Sequence, residues 1–168
     1  QVTGTAALVW SNYPWMTADQ VRQTLLTTAD YMDDGSVNNG LYNETYGWGY
    51  FNKDKAVNGV GMFTKEFGNF DANVTDGYVG VFSNDIKGDA GLIKNGNGRL
   101  VLSGDNSYTG DTTVNSGVLK VSGDTSSSVF TVNGGGTLLG GNGTTGSVNN
   151  YGNVSTGEGT LAVKGDYT

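Results

Sequence analysis

A short apolar segment recurs about every 20 residues in the second half of the chain. Each copy starts with Gly and alternates apolar with polar positions, as in Gly117-Val118-Leu119-Lys120-Val121. This alternation predicts a strand that buries Leu119 and Val121 and exposes Val118 and Lys120. The leading leucines of four copies stand 19, 19 and 23 residues apart: Leu100, Leu119, Leu138 and Leu161.

A repeat of this length, with Gly and Asn at its corners, has room for two or three short strands. One such coil cannot bury its own apolar face, so several coils must stack to form a continuous core. We therefore predict a right-handed parallel β-solenoid (β-helix) over residues 91–168. The four leucines should form one internal column, and a β-sandwich with coincidental spacing is the alternative. A second inward series is expected at Val114, Val132 and Val148.

The first third of the chain has a different composition. All three Trp, the only Pro and both clear helical patterns precede residue 60, whereas 23 of the 29 Gly follow it. Such an uneven distribution predicts separate structural parts. We expect a helical part at 1–58, a junction with the first β-strands at 59–90 and the solenoid stalk at 91–168.

The chain opens on an apolar helix. Val2, Ala6, Val9 and Trp10 share one face at helical spacing, and no polar face stands opposite. This pattern predicts a helix that is buried on every side. No capping residue precedes the helix. We expect upstream polypeptide to enclose it, with Gly4 allowing a close approach of the neighbouring backbone.

A second helix is predicted from a capping box at Thr17 and Gln20. A loop should follow over 30–46, and then a short helix over 51–57 that Asn52 caps. The residues that the second helix should bury, before it ends near Asp30, are Ala18, Val21, Leu25 and Ala29.

Composition excludes several kinds of chemistry. The chain has no Cys and no His, so it offers no disulfide, no thiol nucleophile and no complete Ser-His-Asp triad. Its net charge is −7. A diffuse acidic surface argues against nucleic acid or an anionic membrane as a partner.

Acidic residues at Asp30, Asp33 and Asp34 are candidates for a calcium loop. The EF-hand pattern fails, because Met32 and Leu41 stand where ligands are required. An irregular calcium site at the three aspartates and a simple solvated loop both remain open. No other metal and no organic cofactor is expected.

Two other patterns are better explained by turns. Residues 141–146, Gly-Asn-Gly-Thr-Thr-Gly, match the letters of a dinucleotide fingerprint but lack the helix that must follow. The carboxylate pairs Asp71/Asp76 and Asp105/Asp111 would suit a glycosidase. All four aspartates lie among Gly and Asn in predicted turns, where Asp is common for local reasons.

Three motifs in the first 58 residues occur in the same order in one enzyme family. Residues 2–8 read Val-Thr-Gly-Thr-Ala-Ala-Leu, Thr17 begins a surface helix after Pro14, and residues 46–52 read Tyr-Gly-Trp-Gly-Tyr-Phe-Asn. Together they closely resemble the C-terminal end of a subtilisin-like serine protease domain, which has an α/β fold. In that family, residues 2–8 correspond to the helix that directly follows the nucleophilic Ser.

This resemblance implies that the catalytic Asp, His and Ser stand upstream of Gln1. No catalytic residue can therefore be assigned within the chain, and the chain by itself is expected to be inactive. The upstream protease segment is the expected partner, either covalently continuous or retained after cleavage. The parent endopeptidase is expected to act on protein substrates.

Residues 91–123 look like the autotransporter-associated β-strand repeat. The resemblance implies a Gram-negative bacterium, in whose outer-membrane autotransporters this repeat forms β-helical passenger stalks. It also implies an extracellular location, at the cell surface or after secretion, and export through a C-terminal outer-membrane β-barrel. The matching positions are Leu92, Lys94, Gly96, Gly98, Leu100, Leu102, Ser103, Gly104, Asn106, Tyr108, Thr109, Gly110, Thr112, Val114, Gly117, Leu119 and Val121.

The favoured hypothesis is thus a fragment of a surface-displayed or secreted serine endopeptidase, whose stalk spaces or supports the protease domain. The alternative is an adhesin-like binding module without a catalytic role. An exposed ladder of aromatic side chains would favour the adhesin. The outward positions of the repeats instead carry Thr, Lys, Asn and Gly.

Overall fold

The computed structural model describes all 168 residues. Three helices come first, α1 (Val2–Asn12), α2 (Ala18–Thr27) and α3 (Lys53–Ala56). None of them combines the length and the apolar character that crossing a membrane requires. The strands are β1 (Phe70–Asn73), β2 (Val79–Phe82), β3 (Leu92–Asn95), β4 (Arg99–Leu102), β5 (Thr112–Val114), β6 (Gly117–Val121), β7 (Asp124–Thr125), β8 (Phe130–Val132), β9 (Gly136–Gly140), β10 (Gly143–Thr145), β11 (Val148–Asn150), β12 (Asn153–Ser155) and β13 (Leu161–Val163).

The strands wind into a parallel β-solenoid, which confirms the fold predicted from the repeat. Every strand pair is parallel. One sheet contains β1, β3, β5, β8 and β11, a second contains β2, β4, β6, β9 and β12, and a third contains β7, β10 and β13. The first two sheets receive one strand from each of five stacked coils. The first coil, with β1 and β2, already lies within residues 59–90.

The predicted leucine column forms for three of its four members. Leu100, Leu119 and Leu138 are paired in register on β4, β6 and β9, and all three are fully buried. Leu161 does not join them. It lies on β13 in the third sheet, and Val154 on β12 follows Leu138 instead. The prediction for Leu161 is wrong because a loop after β12 carries the fourth apolar segment one sheet further round the coil.

The second inward series is also correct only in part. Val114 and Val132 pair as predicted, but Val148 pairs with Phe130, and Asn150 takes the place beside Val132. Val148 is therefore displaced by two residues from the predicted column. Because strand side chains alternate with a period of two, this displacement keeps Val148 on the inner face.

The inward and outward positions of β6 agree with the predicted alternation. Leu119 and Val121 are fully buried, whereas Val118 and Lys120 are partly exposed. On the outer surface of the solenoid, the Glu158 carboxylate lies 3.3 Å from the Lys120 amine. The outer face thus carries exposed ion pairs and the inner face carries the core.

The local signals for α2 and α3 are confirmed. Thr17 and Gln20 exchange the two side chain to backbone hydrogen bonds of a capping box, each 3.1 Å long. Asn52 caps α3 by accepting the backbone N–H of Lys55 at 3.0 Å. Residues 31–42 between α2 and α3 contain no helix or strand, in agreement with the predicted loop.

The buried face of α2 is rotated from the predicted one. Val21 is buried as expected, but Ala18 is exposed and Thr24 is fully buried. The Thr24 hydroxyl donates to the Gln20 carbonyl at 2.9 Å, so it can enter the core without an unpaired polar group. The Gln20 side chain donates to the Asp71 carbonyl of β1 and so turns this face, rather than Ala18, toward the solenoid.

The helices close the N-terminal end of the solenoid. Tyr13 and Trp15, in the turn between α1 and α2, contact Phe82 of β2, with ring centroids 5.3 and 6.0 Å apart. A single cluster of 25 buried apolar residues therefore runs from Val9 in α1 to Val148 in β11. The helical part and the stalk share one hydrophobic core.

Lys94 is the one charged side chain that is buried in the structure. It points inward from β3, between Ala72 and Val114 on the neighbouring strands. Its ammonium group donates to the carbonyls of Asn95 and Gly96, both at 2.8 Å, and to a third carbonyl across the corner. It forms no ion pair, and burial lowers the pKa of Lys94 to about 8.

We expect Lys94 to make the free energy of unfolding rise with pH in the alkaline range. The folded protein releases the Lys94 proton near pH 8, whereas the unfolded chain keeps it up to about 10.5. Between these values the unfolded state binds more protons, so raising the pH stabilises the folded state, by about 3 kcal/mol over the whole window. Below the pKa of Lys94 in the folded protein, both states keep the proton, so Lys94 causes no rise in the free energy of unfolding there.

Urea unfolding at neutral pH and within that window measures the effect. The Lys94→Met variant keeps the aliphatic stem and should lack the alkaline rise. An identical rise in Lys94→Met and in the natural sequence would contradict this assignment.

Candidate functional site

Helix α1 presents most of its apolar surface to solvent. Only Thr5 and Val9 are buried, whereas Val2, Leu8 and Trp10 are 52%, 45% and 45% exposed. This chain by itself does not enclose the helix, because α2 and α3 cover only one face of α1, and its enclosure by upstream polypeptide stays a prediction. Large apolar side chains left exposed on several sides of one helix are typical of a surface that another polypeptide covers.

A groove lies on the Leu8 side of α1. A Cβ atom at Gly4 would meet no other atom within 4 Å, so the expected close approach of a neighbouring backbone is not made by this chain. Lys53 is the only charged side chain of the groove, and no carboxylate lines it. The groove is suited to docking rather than to catalysis. Its lining residues are Gln1, Gly4, Thr5, Leu8, Phe51 and Lys53.

The opposite end of α1 is fastened to the rest of the molecule. Asn12 donates to the Val57 carbonyl at 3.0 Å, and the Tyr13 hydroxyl donates to the Val81 carbonyl of β2 at 2.7 Å. Burial raises the pKa of Tyr13, so its hydroxyl keeps the proton that it donates. The C-terminal end of α1 is therefore hydrogen-bonded both to the end of α3 and to the first coil of the solenoid.

The three aspartates of the calcium hypothesis do not converge. Asp30 accepts hydrogen bonds from the amine of Lys55 at 3.1 Å and from the amide of Asn52 at 3.0 Å, and these bonds lower its pKa. Asp33 and Asp34 instead accept backbone N–H groups within their own turns. No group of three metal-ligating side chains occurs in the structure. A calcium site at these aspartates stays a prediction.

The dinucleotide-like residues and the paired aspartates are structural parts of the solenoid. Residues 141–146 surround β10, and no helix follows them. Asp71 lies on β1 rather than in a turn, and its carboxylate accepts from the Asn95 side chain at 2.8 Å. The Asp105 carboxylate accepts the backbone N–H of Asp124 on the next coil at 3.3 Å. These contacts join coils and need no catalytic explanation.

Exposed aromatic side chains are few on the solenoid and do not form a ladder. Tyr78, Tyr151 and Tyr167 are 46%, 74% and 53% exposed. None of the ring pairs in the structure includes them. The surface feature that would favour an adhesin is therefore missing from these coils.

Sequence analysis missed the side chain that closes the solenoid. Trp15 is only 9% exposed and lies against Gly80 of β2, which pairs with Leu100 of the leucine column. The sequence does indicate that the first coil lacks a column side chain. Val79-Gly80-Val81-Phe82 has the alternation of the repeat, with Gly at the position of the column leucine.

Two parts of the chain match known families. Residues 1–49 match the Subtilase family, and residues 92–121 match the Passenger-associated-transport-repeat. The first match covers α1, α2 and the following loop, and the second covers β3 to β6.

Curated relatives contain both parts. The Neisserial autotransporter lipoprotein NalP of Neisseria meningitidis serogroup B is 41% identical over 155 residues, which cover 91% of this chain and 14% of the relative. An extracellular serine protease of Serratia marcescens is 34% identical over 179 residues, which cover 87% of this chain and 16% of the relative. The chain thus spans less than a fifth of the length of these relatives. Residues 1–49 belong to the subtilase family and residues 92–121 to the passenger-associated transport repeats, so the chain joins the C-terminal portion of a subtilase domain to an autotransporter passenger solenoid.

Proposed function

We propose that this chain is the end of the peptidase domain and the beginning of the stalk of a serine endopeptidase that is secreted or displayed on the bacterial surface. The observation that carries the proposal is the exposure of three large apolar side chains of α1, which are Val2, Leu8 and Trp10. In subtilases this helix directly follows the nucleophilic Ser. The two relatives described above, one an autotransporter and one an extracellular serine protease, support the same assignment.

In this proposal α1 is the support of the nucleophile. The catalytic Ser stands in the turn before α1, and the polypeptide that carries Asp and His covers the groove beside Gly4 and Leu8. The Ser attacks the scissile carbonyl of a protein substrate while His takes its proton. The positive end of the α1 dipole favours the negative charge that develops on the substrate oxygen.

The rest of the chain supports this helix. Val9 anchors α1 in the common core, and Tyr13 fixes its C-terminal end to β2. The solenoid continues the same core away from the peptidase domain. A translocator domain linked at the C-terminal side of the passenger would export both parts together.

A fluorophosphonate probe is expected to label the natural full-length protein and to leave the isolated 168-residue chain unlabelled. The chain has no His, so none of its Ser residues can be activated by an imidazole base. Heat-denatured full-length protein is the control, because labelling requires an assembled triad. Stoichiometric labelling of the isolated chain, or no labelling of the folded full-length protein, would contradict the proposal.

A further inference from the structure

The leucine column of the solenoid has no side chain in the first coil. Gly80 on β2 pairs with Leu100, and its position faces the interior. A Cβ atom at Gly80 would lie 3.2 Å from Cζ2 of Trp15 and 3.4 Å from Cδ1 of Leu100. The indole ring of Trp15 therefore occupies the space that a column leucine would fill.

Space, rather than backbone conformation, requires glycine here. Gly80 is not among the glycines with a positive φ, so any residue could adopt its backbone conformation. A leucine at this position, as in the next three coils, would collide with the indole. Gly80 and Trp15 are thus complementary in shape.

Trp15 comes from outside the solenoid. It lies in the turn between α1 and α2, with its ring centroid 5.9 Å from Tyr13 and 6.0 Å from Phe82. Its indole N–H is buried and has no hydrogen-bond partner. Burying an unpaired donor costs free energy, so the apolar contacts of the ring have to offset that cost.

We propose that Trp15 plugs the first coil of the solenoid and that Trp15 and Tyr13 together are positioning residues for α1. The inference rests on the proposed function, in which the catalytic Ser precedes α1. Tyr13 follows α1 directly and is bonded to β2, and Trp15 is inserted beneath the same strand at Gly80. The first coil then belongs structurally to the peptidase domain, and the stalk contributes to the geometry of the nucleophile.

Four variants of the full-length protein test the plug. Trp15→Ala removes it, and Trp15→Phe replaces it with a smaller ring. The double variant Trp15→Ala/Gly80→Leu refills the coil with a column leucine but lacks the contact that Trp15 makes from the turn between α1 and α2. Gly134→Leu is a matched control, because Gly134 is exposed, has no positive φ, and its nearest atom to an added Cβ is 3.9 Å away.

Melting temperature and steady-state peptidase kinetics are the two readouts. Trp15→Ala should lower both Tm and kcat, and Trp15→Phe should lower both less. The double variant should regain most of the Tm, whereas its kcat should remain about tenfold or more below that of the natural protein, with KM little changed. Gly134→Leu should alter neither readout.

Recovery of both Tm and kcat in the double variant would show that Trp15 only fills space, and would overturn the positioning role. An unchanged Tm in Trp15→Ala would overturn the plug itself. Absence of peptidase activity from the folded natural protein would overturn the proposed function and the positioning role with it. The melting temperatures test separately whether Trp15 fills the first coil.

Discussion

Tyr108→Ala is expected to reduce the free energy of unfolding by about 3–5 kcal/mol. Tyr108 lies between β4 and β5, is fully buried, and has its ring centroid 4.8 Å from that of Phe63. Its hydroxyl is 2.7 Å from the Thr112 hydroxyl, which is in turn 2.7 Å from the Ser128 hydroxyl. The substitution would leave a cavity and break this buried chain of hydroxyls. Urea unfolding followed by circular dichroism measures the loss.

Two companion variants separate the causes of that loss. Tyr108→Phe keeps the ring and removes only the hydroxyl, so it should cost about 1–3 kcal/mol. Tyr151→Ala removes a tyrosine that is 74% exposed and should have little effect. A loss in Tyr151→Ala as large as that in Tyr108→Ala would contradict the position assigned to Tyr108 inside the solenoid.

Leu119→Ala is expected to destabilise the protein by about 2–5 kcal/mol. Leu119 is fully buried and lies between Leu100 and Leu138 on the neighbouring strands. Close-packed neighbours on adjacent coils cannot collapse fully into the space that it leaves. The midpoint of urea unfolding should therefore fall.

Lys120→Ala is the matched control for Leu119→Ala, because it changes the next residue on the same strand. Its side chain points outward, and its ion pair with Glu158 is exposed to solvent, so its loss should cost less than about 1 kcal/mol. Equal losses for the two variants would mean that the inward and outward positions of β6 are assigned wrongly.

The solenoid was predictable because its spacing and its alternation constrain each other. A period of two within each strand decides which residues point inward, and a constant coil length brings equivalent residues into register. Leu100, Leu119 and Leu138 obey both conditions. Leu161 and Val148 do not, because loop lengths differ in the last coils, and a loop can move an apolar segment to another sheet without changing its local pattern.

The sequence predicted which helix forms the candidate site, but it did not predict which side chains contact that helix. The motif of residues 2–8 indicates the family of α1, yet an apolar pattern cannot say which polypeptide covers the helix. Trp15 and Gly80 are distant in sequence, and their fit depends on the whole first coil. Lys94 breaks the apolar pattern of an inward position, and only the coil geometry shows the three carbonyls that accept hydrogen bonds from its ammonium group.

Peptide mapping of the serine that reacts with a fluorophosphonate in the natural full-length protein tests the central claim most directly. The account predicts one modified Ser, in the turn that leads directly into α1. Modification of a Ser anywhere within the 168 residues, or of a Ser in a segment that does not lead into α1, would contradict it.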